Sequence, residues 1–172
     1  MGLSLKAVSF DYHFDEELEE CVGYKGCSTD CGYFGFARFR NDLVKFVTNN
    51  KLELDSSYCG KSLTWCWFDS VTYEVRMDRS TSDFEDEDYF NKLETMKDQF
   101  PKLYDLYPFI AHCDCEGSIP YTQLAKALPI LKEFQSQANE TYGYRDRDYN
   151  WLDEIIDIIQ EVINIKGKLW FS

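Results

Sequence analysis

The chain has 172 residues, 44% of them hydrophobic and 17% aromatic, so it carries the apolar material a folded core needs and is not a disordered tail. With 31 acidic against 18 basic residues its formal charge is -13, and residues 61–118 form the most acidic third, with 13 acids against 6 bases. Such a balance argues against direct binding to nucleic acid, which draws most of its affinity from a Lys/Arg footprint, and against docking on an anionic membrane.

The first element is read from the alternation of Val8, Phe10, Tyr12 and Phe14 with Ser9, Asp11 and His13. That period of two predicts a half-buried strand. A charged stretch, Asp15 to Glu20, follows, and then a loop rich in glycine and cysteine from Cys21 to Gly35. Phe36, Phe39, Leu43, Phe46 and Val47 recur at helical spacing, with Arg38, Arg40, Asp42 and Lys45 mostly off their face, and Asn49-Asn50 suits the helix end. Leu63, Trp65 and Trp67 alternate, as do Val71, Tyr73, Val75 and Met77, which predicts a hairpin turning at Asp69-Ser70.

Ser82 and Glu85 have capping-box spacing ahead of Phe90, Leu93, Met96 and Phe100, so a helix is expected there, with Pro101 and Pro108 complicating its continuation through Leu103 and Leu106. After a loop at residues 112–118, Pro120 fits the first turn of a helix whose core stripe is Tyr121, Leu124, Leu128, Leu131 and Phe134. Pro129 lies inside that stripe and predicts a kink. The connector Tyr142 to Tyr149 is aromatic and charged, and its rings are expected to close a helix–helix loop. The last helix opens near Asn150, runs through Leu152, Ile155, Ile156, Ile159 and Val162, and ends before Gly167, after which Lys168 to Phe171 can add a terminal strand. Strands segregated from helices imply an α+β fold in one domain, residues 1–172. The expected core is a small antiparallel sheet, made of the N-terminal strand, the hairpin near 63–77 and a candidate C-terminal strand, packed against about four helices.

No run approaches the roughly 18 apolar residues that span a bilayer, and between Lys6 and Asp11 there is no apolar stretch of the kind a secretion signal carries. The seven cysteines are odd in number, so reduced thiols in a cytoplasm are the expectation.

The most distinctive string is His112-Cys113-Asp114-Cys115-Glu116-Gly117-Ser118-Ile119-Pro120. Laid on a calcium-binding loop, Gly117 takes the sharp turn, Ile119 the apolar position two residues on, and Asp114 and Glu116 two ligand positions. His112 stands where the first carboxylate belongs and Gln123 where the bidentate Glu belongs, so the turn geometry is expected without the ion. The same string offers His112, Cys113 and Cys115 to zinc, and Cys27 with Cys31, at an allowed zinc spacing, can supply the other half of a four-cysteine site with Cys113 and Cys115. Cys113-x-Cys115 is tighter than the usual zinc spacing, and buried thiols that act as small hydrophobes explain the cysteines as well. No cofactor is expected; zinc and calcium are the candidates if His112, Cys113, Asp114, Cys115 and Glu116 do hold an ion.

This string resembles a His-x-Asp-Cys-(Asp/Glu)-Gly-x-(Ile/Leu)-Pro segment of a group of small uncharacterised bacterial and phage proteins, and Tyr33 to Arg40 is similar to an upstream segment of the same group. The resemblance implies a bacterial or phage origin and carries no function with it. Gln123 departs from the group's Glu.

Nucleophilic catalysis needs a base beside the nucleophile, and only His13 and His112 are present to supply an imidazole. No nucleophile elbow, phosphate loop or dinucleotide fingerprint occurs. The acidic clusters remain: Glu16, Glu17, Glu19 and Glu20 in one, and Asp83, Glu85, Asp86, Glu87 and Asp88 in the other, with Asp78 close by. A helix dipole favours acids in a first turn and accounts for much of the second cluster. The other reading is a recognition surface that imitates a phosphate track. The function expected on that reading is an acidic protein-binding inhibitor, of phage anti-defence (anti-CRISPR-like) or toxin-immunity type, that docks on a basic protein handling nucleic acid. The competing classes are a metal-dependent or thiol enzyme centred on His112 to Glu116, and a protein that sequesters a small ligand.

Overall fold

A computed structural model describes residues 3–51, 53–54, 67–69, 74–76, 97–110, 117–141 and 151–172. The chain divides into two compact units, one formed by Met1–Gly32 with Cys115–Ser172 and the other by Tyr33–Asp114. The class is α+β.

In the first unit, β1 (Leu3–Val8), β4 (Lys25–Cys31), β8 (Ser118–Pro120) and β9 (Lys168–Phe171) form an antiparallel sheet in the order β4-β1-β9-β8. The terminal strand anticipated at Lys168 to Phe171 is thus central, with Leu5 opposite Phe171 and Ile119 opposite Leu169. Leu3, Leu5, Ala7, Leu169 and Phe171 are all fully buried. The long helices α3 (Tyr121–Thr141) and α4 (Leu152–Asn164) complete the unit, and α4 packs on β1, β4 and β9 as well as on α3. Leu152, Ile155, Ile156, Ile159 and Val162 are buried, as their spacing predicts, and Ile158 joins them.

The N-terminal alternation does not run as one strand. The register that counts is Leu3, Leu5 and Ala7; the chain then turns at Ser9–Tyr12, closed by the Tyr12 N–H on the Ser9 carbonyl at 3.2 Å. Phe10 and Phe14 are 55% and 60% exposed, so their apparent place on a buried face is corrected. A period of two cannot show that a turn separates two of its members. The glycine- and cysteine-rich stretch is likewise ordered ladder rather than loop: β2 (His13–Asp15) pairs with β3 (Glu20–Val22), and Thr29 and Cys31 of β4 turn inward opposite Leu5 and Leu3.

Pro120 ends β8 instead of opening the helix, because its neighbour Ile119 is drawn into the ladder beside Leu169. Gly117 keeps the left-handed backbone (φ +99°) that the sharp-turn position asks for. Helix α3 continues through Pro129, which is exposed, as is Ala125, whose carbonyl the proline ring cannot serve, so water can take that bond. Leu124, Leu128, Leu131 and Phe134 are buried, joined by Ala127 and Ile130.

In the second unit, α1 (Tyr33–Val47) starts earlier than its apolar stripe suggests and buries Phe36, Phe39, Leu43 and Val44. Asn49 and Asn50 adopt left-handed φ values of 52° and 59° and end the helix as anticipated. Arg40, placed off the buried face by its charge, is 1% exposed; its guanidinium lies 4.8 Å over the Phe36 ring and donates to the Ile110 carbonyl at 3.0 Å. Helix α2 (Pro101–Ile110) begins at Pro101, contains Pro108, and buries Leu103, Leu106, Tyr107, Phe109 and Ile110. Phe109 meets Phe36 and Phe39 edge-on, at centroid distances of 5.6 and 6.2 Å.

The hairpin is present as β6 (Trp67–Asp69) against β7 (Glu74–Arg76), with β5 (Glu53–Leu54) on the other side of β6 in a sheet of its own. Asp69 pairs with Glu74 and is a ladder residue, so the turn does not begin there. The helix expected behind Ser82, the string His112 to Glu116 and the connector 142–149 lie outside the described residues, apart from helical residues 97–99. No helix among the described residues is long and apolar enough to cross a membrane.

Candidate functional site

Between β1 and β4 the chain leaves the four-stranded sheet as an arm, residues 9–24, built on the β2–β3 hairpin with His13 opposite Val22, Phe14 opposite Cys21 and Asp15 opposite Glu20. Its tip is shaped by Asp15, whose Oδ1 accepts the backbone N–H groups of Glu17 at 2.9 Å and Leu18 at 3.1 Å. This Asx turn needs a short carboxylate or amide at its first position. Glu19 then takes a left-handed φ of 53° to return the chain to β3. Glu16, Glu17, Glu19 and Glu20, anticipated as partner-binding, all stand exposed on this tip. Residues 9–24 hold six carboxylates, Asp11 and Asp15 included, and neither Lys nor Arg.

What the sequence reading missed here is apolar. Among the described residues the exposed large hydrophobics are Phe10, Phe14, Leu18, Tyr24 and Ile165, and all but Ile165 belong to the arm. Phe14 and Leu18, each 60% exposed, are interleaved with the tip carboxylates; the signal was the run Phe14-Asp15-Glu16-Glu17-Leu18-Glu19-Glu20, whose apolar members fit neither a buried strand nor a plain solvated loop.

The arm is held at its neck. Ser9 exchanges bonds with Tyr24, its N–H to the Tyr24 carbonyl at 3.0 Å and its hydroxyl oxygen accepting the Tyr24 N–H at 2.9 Å. Gly23, at φ +101°, passes so close that an added Cβ would sit 2.7 Å from the Tyr12 Cα. The Lys168 ammonium donates to the carbonyls of Phe10 at 3.1 Å and Tyr12 at 3.4 Å, and Tyr12 packs edge-on to Trp170 with centroids 5.9 Å apart. A hydrogen bond with Cys21, helped by burial, holds the Tyr12 hydroxyl above its ordinary pKa. The Ser9 hydroxyl and its own backbone hold the Asp11 carboxyl below the usual range, so it stays charged. The His13 Nδ1 lies 2.5 Å from the Asp11 carbonyl oxygen, which assigns the proton to that nitrogen.

A second polar cluster ties the arm's exit to α4. The register between β1 and β4 slips between Lys6 and Val8, and the bulge turns the Cys27 N–H towards Glu161, whose Oε2 accepts it at 3.1 Å. The Cys27 thiol donates to the same oxygen and the Tyr24 hydroxyl to Oε1, the latter at 2.7 Å. Burial, then the Glu161 carboxylate, push the Cys27 thiol up to about 11, while the bonds it receives hold Glu161 below its ordinary value. A thiol so placed is protonated at neutral pH and a poor nucleophile. The Thr29 hydroxyl makes a parallel tie to Glu154.

Of the zinc candidates, Cys31 is buried and Cys27 is turned to Glu161, and no cluster of three or more His, Cys, Asp or Glu suited to a metal occurs among the described residues. His112, Cys113, Asp114, Cys115 and Glu116 lie outside the described residues, as do Asp83, Glu85, Asp86, Glu87 and Asp88. No protein-family model, curated protein or solved structure matches the chain.

Proposed function

We propose that this chain is a non-enzymatic, acidic protein-binding factor that docks on the basic surface of a nucleic-acid-handling protein and blocks it. This is the action of a phage anti-defence protein or a toxin-immunity protein, at work in the cytoplasm of a bacterial host. The observation that carries the reading is the arm: six carboxylates and no cation in residues 9–24, on a hairpin that also exposes Phe14 and Leu18. Charge concentrated on a projecting element steers a basic partner, and electrostatic steering raises association rates by about 10- to 1000-fold at low ionic strength. It also competes with phosphate for the same Lys/Arg groups.

The test is affinity capture from a bacterial lysate with the full chain as bait, followed by a salt series on the purified pair. A basic protein held at low salt and shed as the Debye length falls supports the reading, as does competition by double-stranded DNA or RNA for the same surface. Capture of an acidic partner whose affinity ignores salt refutes it.

A further inference from the structure

We infer that Phe14 and Leu18 are the anchor of this interface, inserted into an apolar pocket framed by Lys and Arg on the partner protein; this rests on the binding role proposed above. Both side chains are 60% exposed, a state that leaves large apolar area in water on an element otherwise shaped by specific hydrogen bonds. Their two exposed companions are committed elsewhere: Phe10 packs edge-on to Tyr121 at 6.2 Å, and the Tyr24 hydroxyl serves Glu161. Leu18 is presented by a pinned backbone, since its N–H is held by Asp15, so little ordering is left for binding to oppose.

Charge selects the occupant. A second copy of this chain would bring another -13 and another arm of six carboxylates against the first. Phosphate backbones and anionic headgroups are repelled in the same way. A protein surface with cations around an apolar slot matches both parts of the arm: the cations meet Glu16, Glu17, Glu19 and Glu20 at the rim, and the slot takes the ring and the leucine at the centre. Aromatic anchors in a desolvated centre dominate binding energy, whereas rim charges govern approach and salt dependence.

The experiment places the photo-crosslinking residue p-benzoylphenylalanine at position 14, at position 18 and, as a control, at exposed position 165 of the full chain in a bacterial lysate. The captured protein is identified and purified, and its affinity is then measured across a salt series. One basic protein should crosslink from 14 and 18 and not from 165. Phe14→Ala should weaken it by about tenfold or more with an unchanged salt slope. The combined Glu16→Gln, Glu17→Gln, Glu19→Gln and Glu20→Gln variant should flatten the slope instead. Thermal melts that match the parent chain show that neither variant acts through folding. A basic partner that crosslinks only from 165, or that ignores Phe14→Ala, overturns the anchor while the binding role stands. Absence of any basic partner overturns both. Crosslinks between two copies of this chain at position 14 overturn the assignment in favour of self-association.

Discussion

Glu161 accepts the backbone N–H of Cys27 at 3.1 Å at the bulge of β4, and so fastens α4 to the strand through which the arm rejoins the sheet. The same carboxylate takes the hydroxyl of Tyr24, the last residue of the arm. One side chain therefore settles three donors that would otherwise compete for water. Its removal should cost about 1–3 kcal/mol, as expected for hydrogen bonds to a charged group. Urea denaturation of Glu161→Ala at pH 7 measures that loss.

The same contact makes stability depend on acid. The folded-state pKa of Glu161 lies below the ordinary 4.5, so its contribution is present above that value and is lost as pH falls through the folded value. Stability curves of the parent chain and Glu161→Gln should therefore converge below pH 4.5 and run parallel between pH 6 and 8. A gap that persists unchanged at low pH would show that the carboxylate's charge plays no part.

The Cys27 thiol behaves in the opposite sense. With its pKa raised from 9.0 to about 11, its stabilising bond is intact below pH 9 and is lost as pH rises through the folded value. At pH 8 the thiolate fraction is about a hundredfold below that of an ordinary thiol, so iodoacetamide should label Cys27 slowly. Glu161→Gln removes the adjacent charge and should accelerate the labelling, as followed by peptide mass spectrometry.

Two glycines should respond differently to an added methyl group. At Gly26 the Cβ would collide with the Glu161 carboxylate, the far end of a flexible side chain, so Gly26→Ala should act by expelling that carboxylate. A double-mutant cycle with Glu161→Ala is then strongly non-additive. At Gly167 the Cβ would meet the Val8 carbonyl of β1, which is backbone and cannot yield, and Gly167→Ala should destabilise by about 2 kcal/mol or more whatever stands at 161.

Lys168→Met should loosen the arm while sparing the sheet. The ammonium donates to the carbonyls of Phe10 and Tyr12 at the neck, whereas the strand's own ladder places Lys168 opposite Val8 and Pro120. Hydrogen exchange should quicken across residues 10–22 and stay slow in β1 and α4.

Helical periodicity was the most readable signal. Ile155, Ile156, Ile159 and Val162 are buried where their spacing puts them, and the stripe Leu124, Leu128, Leu131 and Phe134 likewise. Charge misled at Arg40, whose burial depends on Phe36 and the Ile110 carbonyl, and on the dispersed charge of a guanidinium. Alternation misled at Phe10 and Phe14, because an apolar side chain beyond a turn keeps the period and loses the core.

The sequence by itself determined the α+β class, the apolar helix faces, the hairpin in the second unit and the acidic run Asp15 to Glu20, since each is written in local spacing or composition. Only tertiary structure decided that β9 lies between β1 and β8, that Glu161 meets Tyr24 and Cys27 more than 130 positions earlier in the chain, and that Phe14 and Leu18 face water. Pairing between distant strands is set by which register buries the most apolar area, and no local pattern records that competition.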